Sequence, residues 1–146
     1  MVTHSVQTLA SLYEQDETAW LETMAQLVAE RRFEELDVDN LSEYLQDMAL
    51  RDKREVFSRL TVLLIHLLKW EHEVDRRSNS WRATILHQRG ELRDLLESRT
   101  LRNYGEEALE KAYKRAVKEA AVETGIEESA FPAVCPWPLE EIVSEE

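Results

Sequence analysis

Helix-breaking residues are almost missing from the first 124 positions of this 146-residue chain. Three glycines and three prolines occur in all, and no proline precedes Pro132. Such a chain carries long uninterrupted helices with little penalty, because glycine and proline are the residues that most destabilise a helix interior. Apolar residues recur at i, i+3 and i+4 along the same region, which places them on single helix faces. No stretch alternates in the way a half-buried strand requires. The expected fold is all-α: a compact bundle of about five helices with a central apolar third helix and a proline-containing C-terminal strap. One domain is expected over 1–146, with a core at about 12–125 and a tail at 126–146 packed on it.

The first predicted helix spans about 16–31, with Trp20, Met24, Leu27 and Val28 as its stripe. Asp16 and Glu17 sit where carboxylates favour a helix N-terminus. A weaker helical turn with Leu9, Leu12 and Tyr13 precedes it. The second begins near Asp37, whose carboxylate suits an N-cap, with Leu36 and Leu41 placed as a hydrophobic staple. Its stripe is Leu41, Tyr44, Leu45, Met48 and Ala49. Charged residues 51–55 follow, where the pattern allows either a bend or a continuous helix. The third helix, about 54–73, carries Val56, Leu60, Leu63, Leu64, Leu67 and Leu68. Val62 and Ile65 make it apolar on nearly every side, the mark of a helix surrounded by others. Competent N-caps at 78–80 introduce a fourth helix with Trp81, Ile85, Leu92, Leu95 and Leu96, ending near Ser98. The fifth is expected from about Gly105 to Thr124, with Leu109, Ala112, Tyr113, Ala116, Val117, Ala120 and Ala121 on one face and Gly125 as a left-handed C-cap. Phe131 and Trp137 belong to the strap, and Pro138 can start a closing turn.

The net charge of −12 is uneven. Residues 1–50 carry 11 acids and 2 bases, residues 51–102 carry 8 acids and 12 bases, and residues 103–146 carry 11 acids and 4 bases. The overall sign opposes general nucleic-acid binding. The longest strongly apolar run, 60–68, is too short to span a bilayer. Cys135 is the single cysteine, which fits a reducing compartment. The first ten residues lack the basic start and apolar run of a secretory signal. A cytoplasmic location is expected, without membrane association.

No phosphate-cradling glycine loop, zinc spacing or nucleophile elbow occurs. The densest candidate for chemistry is the end of the third helix. Arg59, Leu63, His66, Trp70 and Glu73 lie within about 80° of one another at the helical rotation per residue. A histidine between an arginine and a carboxylate can serve as a general base near neutral pH, so Arg59, His66 and Glu73 are the catalytic candidates. The other reading is a core-edge His66 satisfied by a neighbouring polar group. The Arg59–His66 spacing resembles the pattern of helical HEPN ribonuclease toxins, although Leu60 stands where those proteins usually have a polar residue. Arg82, Arg89 and Arg93 share one side of the fourth helix. They either take a phosphate or carboxylate ligand bidentately or pair with the acidic helices. His66 and His72 lie too far apart around the helix to chelate one metal, and His4 is remote in sequence, so neither metal nor cofactor is expected.

One ordered set of residues is more specific. Tyr13-Glu-Gln-Asp16, Trp20, Arg32-Phe33-Glu-Glu-Leu36-Asp37, His66-Leu-Leu-Lys-Trp70, Ser80-Trp81-Arg82 and Gln88-Arg89 resemble the bacterial domain-of-unknown-function family 29. The 120–126 run, Phe131-Pro132 and Cys135-Pro136 match it too, so the resemblance covers about 12–143. It implies a helical domain common in cyanobacteria, with His66, Lys69, Trp70, Ser80, Trp81, Arg82 and Arg89 as signature positions. It implies no activity, substrate or cofactor. Lys69, Trp70, Trp81, Arg82 and Arg89 are the ligand-binding candidates. The expected function is a small protein-interaction or regulatory module without catalytic activity, with a protein partner or self-association through the alanine-rich fifth helix. The alternative is an RNA- or phosphate-directed hydrolase using Arg59 and His66.

Overall fold

The computed structural model describes residues 6–145. It contains helices α1 (Val6–Gln15), α2 (Glu17–Ala29), α3 (Val38–His72), α4 (Asn79–Leu95), α5 (Arg99–Thr124) and α6 (Leu139–Ile142), joined by 3₁₀ turns at Phe33–Glu35, Val74–Arg76 and Glu128–Ala130. No strand occurs among the described residues. The expected all-α class is correct, and α3 is the long central helix. The five long helices are nevertheless a different five. The weak turn before Asp16 is a full helix, and the second and third predicted helices are one 35-residue helix. The charged segment 51–55 contains no breaker, so nothing interrupts the backbone ladder there.

The chain divides into two compact units, Met1–Leu50 and Arg51–Glu146. In the first, Leu9, Trp20, Met24 and Leu27 are buried, with Leu12, Tyr13, Leu21, Leu36, Leu41 and Tyr44 packed around them. Asp16 ends α1 and starts α2. Its N–H donates to Leu12 and its carboxylate accepts the Ala19 N–H at 3.1 Å, so the carboxylate expected to favour this helix N-terminus is the N-cap itself. Trp20 is fully buried, and its indole N–H donates to the Asp37 carboxylate at 3.1 Å. Asn40 donates to the same oxygen at 2.8 Å, so a nearly buried carboxylate is satisfied from two sides. Tyr13 and Tyr44 flank Trp20 with ring centroids at 4.6 and 5.9 Å. This small core reaches along α3 only as far as Tyr44. Leu45 and Met48, placed on the buried stripe by periodicity, are exposed, as is Val28.

Helix α2 closes in a way the sequence conceals. The Arg32 N–H reaches the Leu27 carbonyl and the Arg31 N–H reaches Val28, the paired bonds of a Schellman motif. The residue that must turn left-handed is Arg31, at φ 61°, where glycine is the usual occupant.

In the second unit, Val56, Leu60, Leu63, Leu64 and Leu68 of α3 are completely buried, with Ile65 and Thr61 nearly so. Helices α4 and α5 start on Ser78 and Ser98, whose hydroxyls accept the N–H groups of Trp81 and Leu101. Helix α5 therefore begins six residues before the expected Gly105. Its alanine face (Ala112, Ala116 and Ala120, all 0% exposed) is consumed by this unit's own core, so a second copy cannot reach it without opening the unit. Gly105 is a packing site: an added Cβ lies 3.3 Å from Leu139 and 3.5 Å from Leu96. Gly125 is left-handed at φ 76° and caps α5 as expected.

Three stability effects follow from the glycine-type positions. Arg31→Gly relieves a left-handed non-glycine residue and is expected to raise the unfolding free energy by about 0.5–1 kcal/mol. Urea denaturation tests this; a drop means that the cation at the end of α2 outweighs the backbone strain. Gly90 has nothing within 4 Å of an added Cβ, so Gly90→Ala is expected to stabilise by about 0.5–1 kcal/mol. Gly105→Leu is expected to destabilise by about 1–3 kcal/mol through overpacking against Leu139. Thermal unfolding of the two variants must move in opposite directions.

Candidate functional site

The tail of the Arg51–Glu146 unit is bound at both ends. Near its start, Phe131 is buried against the His72 ring at 4.7 Å, and the Tyr113 hydroxyl donates to the Pro132 carbonyl at 2.7 Å. The Cys135 N–H donates to Glu110 at 3.2 Å. Beyond Pro138, α6 buries Leu139 and Ile142, and Val143 follows them into the core. The carbonyls at the end of α6 are taken by arginines of α4. The Arg89 Nε donates to Ile142 and an Arg93 Nη to Val143, each at 2.8 Å. Cations there also oppose the negative end of the helix dipole. Burial, with the neighbouring Arg93 second, lowers the Arg89 pKa from its ordinary value.

Between α3, α4 and this tail lies a cleft of about 670 Å³. Helix α3 contributes Leu67, Trp70 and Glu71. Helix α4 contributes Arg82, Ala83, Ile85, Leu86 and Arg89. The tail contributes Trp137, Glu141, Ile142, Ser144 and Glu145. Trp70 is held from behind by Arg77, whose Nε donates to the Trp70 carbonyl at 2.8 Å and whose guanidinium stacks 4.7 Å from the indole centroid. Leu86 is 65% exposed at the mouth. The Arg82 guanidinium has no hydrogen bond or ion pair among the described residues.

Three of the five ligand-binding candidates, Trp70, Arg82 and Arg89, thus line one cleft. Lys69 and Trp81 do not. The Lys69 ammonium bonds Glu123 at 2.8 Å and lies 4.9 Å over the Trp81 ring, a strut tying α3, α4 and α5 together. The catalytic candidates lie outside the cleft lining. Arg59 is held by Glu55 at 2.8 Å, Glu91 at 3.5 Å and Gln88 at 3.2 Å. His66 is half-buried, with Nδ1 2.9 Å from the Val62 carbonyl one turn back. Glu73 starts the 3₁₀ turn after α3. His4 lies outside the described residues. No group of three or more His, Cys, Asp or Glu among the described residues is arranged to hold a metal ion. Burial pushes the Cys135 thiol pKa up, away from the thiolate a reactive cysteine needs.

Sequence reading missed most of the tail wall. Trp137, between two prolines, is the signal that points to it; Leu86 of α4, four residues after one arginine and three before another, was missed as well.

Burial, with Cys135 and Glu110 nearby, pushes the Tyr113 phenol from 10.0 up to about 12. The neutral phenol is therefore favoured in the folded state. Its contribution is complete below the unfolded pKa near 10 and is lost as pH rises through 12. Unfolding free energies at pH 9 to 12 should fall across that window, and fall less steeply in Tyr113→Phe, which at neutral pH loses about 0.5–1.5 kcal/mol with its bond to Pro132. Equal slopes in both proteins contradict this.

No helix among the described residues is long and apolar enough to cross a membrane. No curated protein and no solved structure matches the chain. The family model for the domain of unknown function DUF29 matches residues 12–146, and this protein belongs to that family.

Proposed function

We propose that this protein is a small non-catalytic interaction module of the cytoplasm, and that it works by seating an apolar side chain of a partner protein in the cleft between α3, α4 and the tail. The observation that carries the reading is the cleft wall: two tryptophans and four large aliphatic side chains beside the cation Arg82. Concave apolar surfaces with a few placed polar groups are the usual form of a binding site. Tryptophan and arginine are the residues that most often dominate binding energy. The net charge of −12 favours a protein partner over a nucleic acid. A single cysteine with a raised thiol pKa suits a reducing compartment. The side chains with catalytic potential serve elsewhere: Arg59 binds Glu55 and Glu91, and the His66 ring is beside a helix carbonyl.

Panning a phage-displayed peptide library against the purified protein tests the proposal, with backbone-amide NMR to map where enriched peptides bind. Resonances of Trp70, Leu86 and Trp137 should shift on binding. Trp137→Ala should weaken binding about 10- to 30-fold, the size of a hot-spot truncation. Enriched peptides that perturb only other surfaces overturn the cleft assignment. Cleavage of total RNA that disappears in both Arg59→Ala and His66→Ala replaces the proposal with a hydrolase.

A further inference from the structure

The charges of the cleft are sorted by element. Both cations, Arg82 and Arg89, come from α4. All three carboxylates come from the opposite walls: Glu71 from α3, Glu141 from α6 and Glu145 from the residues after it. On α4 the exposed Leu86 stands four residues after Arg82 and three before Arg89, so the three share one face of that helix. The cations of the cleft thus come from one element and its carboxylates from the other two, with apolar side chains contributed by all three.

We infer that the cleft selects a peptide segment of a protein partner in which one bulky apolar residue is flanked by an acidic residue on one side and a basic residue on the other. The acid meets Arg82, and the base meets Glu141 and Glu145. This inference rests on the reading of the cleft as an interaction site and adds the chemistry of its occupant. A wholly apolar ligand would desolvate Arg82 without giving it a partner, which is unfavourable. A wholly anionic ligand, such as a lipid headgroup surface or a nucleic acid, would meet three carboxylates at close range. Opposed walls penalise like-charge juxtaposition on either side, so they act as a specificity filter more than as a source of affinity. The volume is that of a drug-sized ligand. That leaves room for more than one side chain, as an anchor with flanking residues requires.

Five fluorescein-labelled synthetic peptides of equal length test this by anisotropy. Each has a central tryptophan, flanked as acid–base, base–acid, acid–acid, base–base or serine on both sides. At least one mixed-charge peptide should bind tenfold or more tighter than either like-charged peptide. Arg82→Glu should shift the preference toward the base–base peptide, and Arg82→Gln should erase the discrimination against it. The doubly substituted Glu141→Gln, Glu145→Gln protein should shift the preference toward the acid–acid peptide. Arg82, Glu141 and Glu145 are exposed, so these variants should fold, which circular dichroism verifies. Equal binding of all five, lost in Trp137→Ala, overturns the charge selection while the interaction cleft stands. Failure of all five to bind overturns both.

Discussion

Between Val56 and Leu68, helix α3 has almost no polar side to turn toward water. A helix of that kind is stable only when other elements surround it, and in the Arg51–Glu146 unit each neighbour has that task. Helix α5 brings the fully buried Ala112, Ala116 and Ala120. Helix α4 brings Ile85 and Leu92. The tail contributes Phe131, Leu139, Ile142 and Val143. Burying a large aliphatic side chain contributes about 1.5–3 kcal/mol. Five such residues of α3 are fully buried, so the exclusion of water from this one segment dictates where the other elements go. The Met1–Leu50 unit is organised differently, around one indole and the nearly buried carboxylate that bonds it.

The cleft is a by-product of how that enclosure is completed. Helices α3 and α4 supply two walls of the cleft, and the tail supplies the third. Main-chain carbonyls at the end of α6 would be unsatisfied orphans without donors. Arg89 and Arg93 are those donors, which explains why a half-buried arginine next to another arginine is tolerated. The same helix face then offers Arg82, with no such carbonyl to serve, to the cleft.

Much of the fold was legible because helices leave strong marks. The scarcity of glycine and proline, the stripe on α5, the Asp16 carboxylate at a helix N-terminus, Ser78 as a cap and Gly125 as a terminator all appear in their expected places. The misread positions share a cause: local pattern does not report what lies opposite. Leu45 and Met48 keep perfect helical spacing but extend beyond a core that stops at Tyr44. Gly105 looks like a helix boundary but is a space left for Leu139. Arg31 adopts the conformation of a glycine because the bonds of its neighbours over-determine the turn. In the cleft, Trp70, Arg82 and Arg89 were identifiable as unusual residues. Their partners Glu141 and Glu145 were not, since nothing in the tail's own sequence says which helices it lies across. Arg59 and His66, adjacent by helical rotation, are drawn to different neighbours: Arg59 toward α4 and His66 toward its own backbone.

The arginine clamp on α6 grips peptide carbonyls. Every residue carries a carbonyl, so this part of the anchorage is indifferent to which side chains the tail displays. Side chains that meet the core, such as Ile142, are constrained by packing. Glu141 and Glu145 are exposed beside the cleft and form no ion pair among the described residues that anchors the tail. Holding the wall in place and choosing what it presents are therefore separate tasks in this molecule. A substitution at Glu141 or Glu145 therefore changes what this wall displays without touching the carbonyl bonds that hold it.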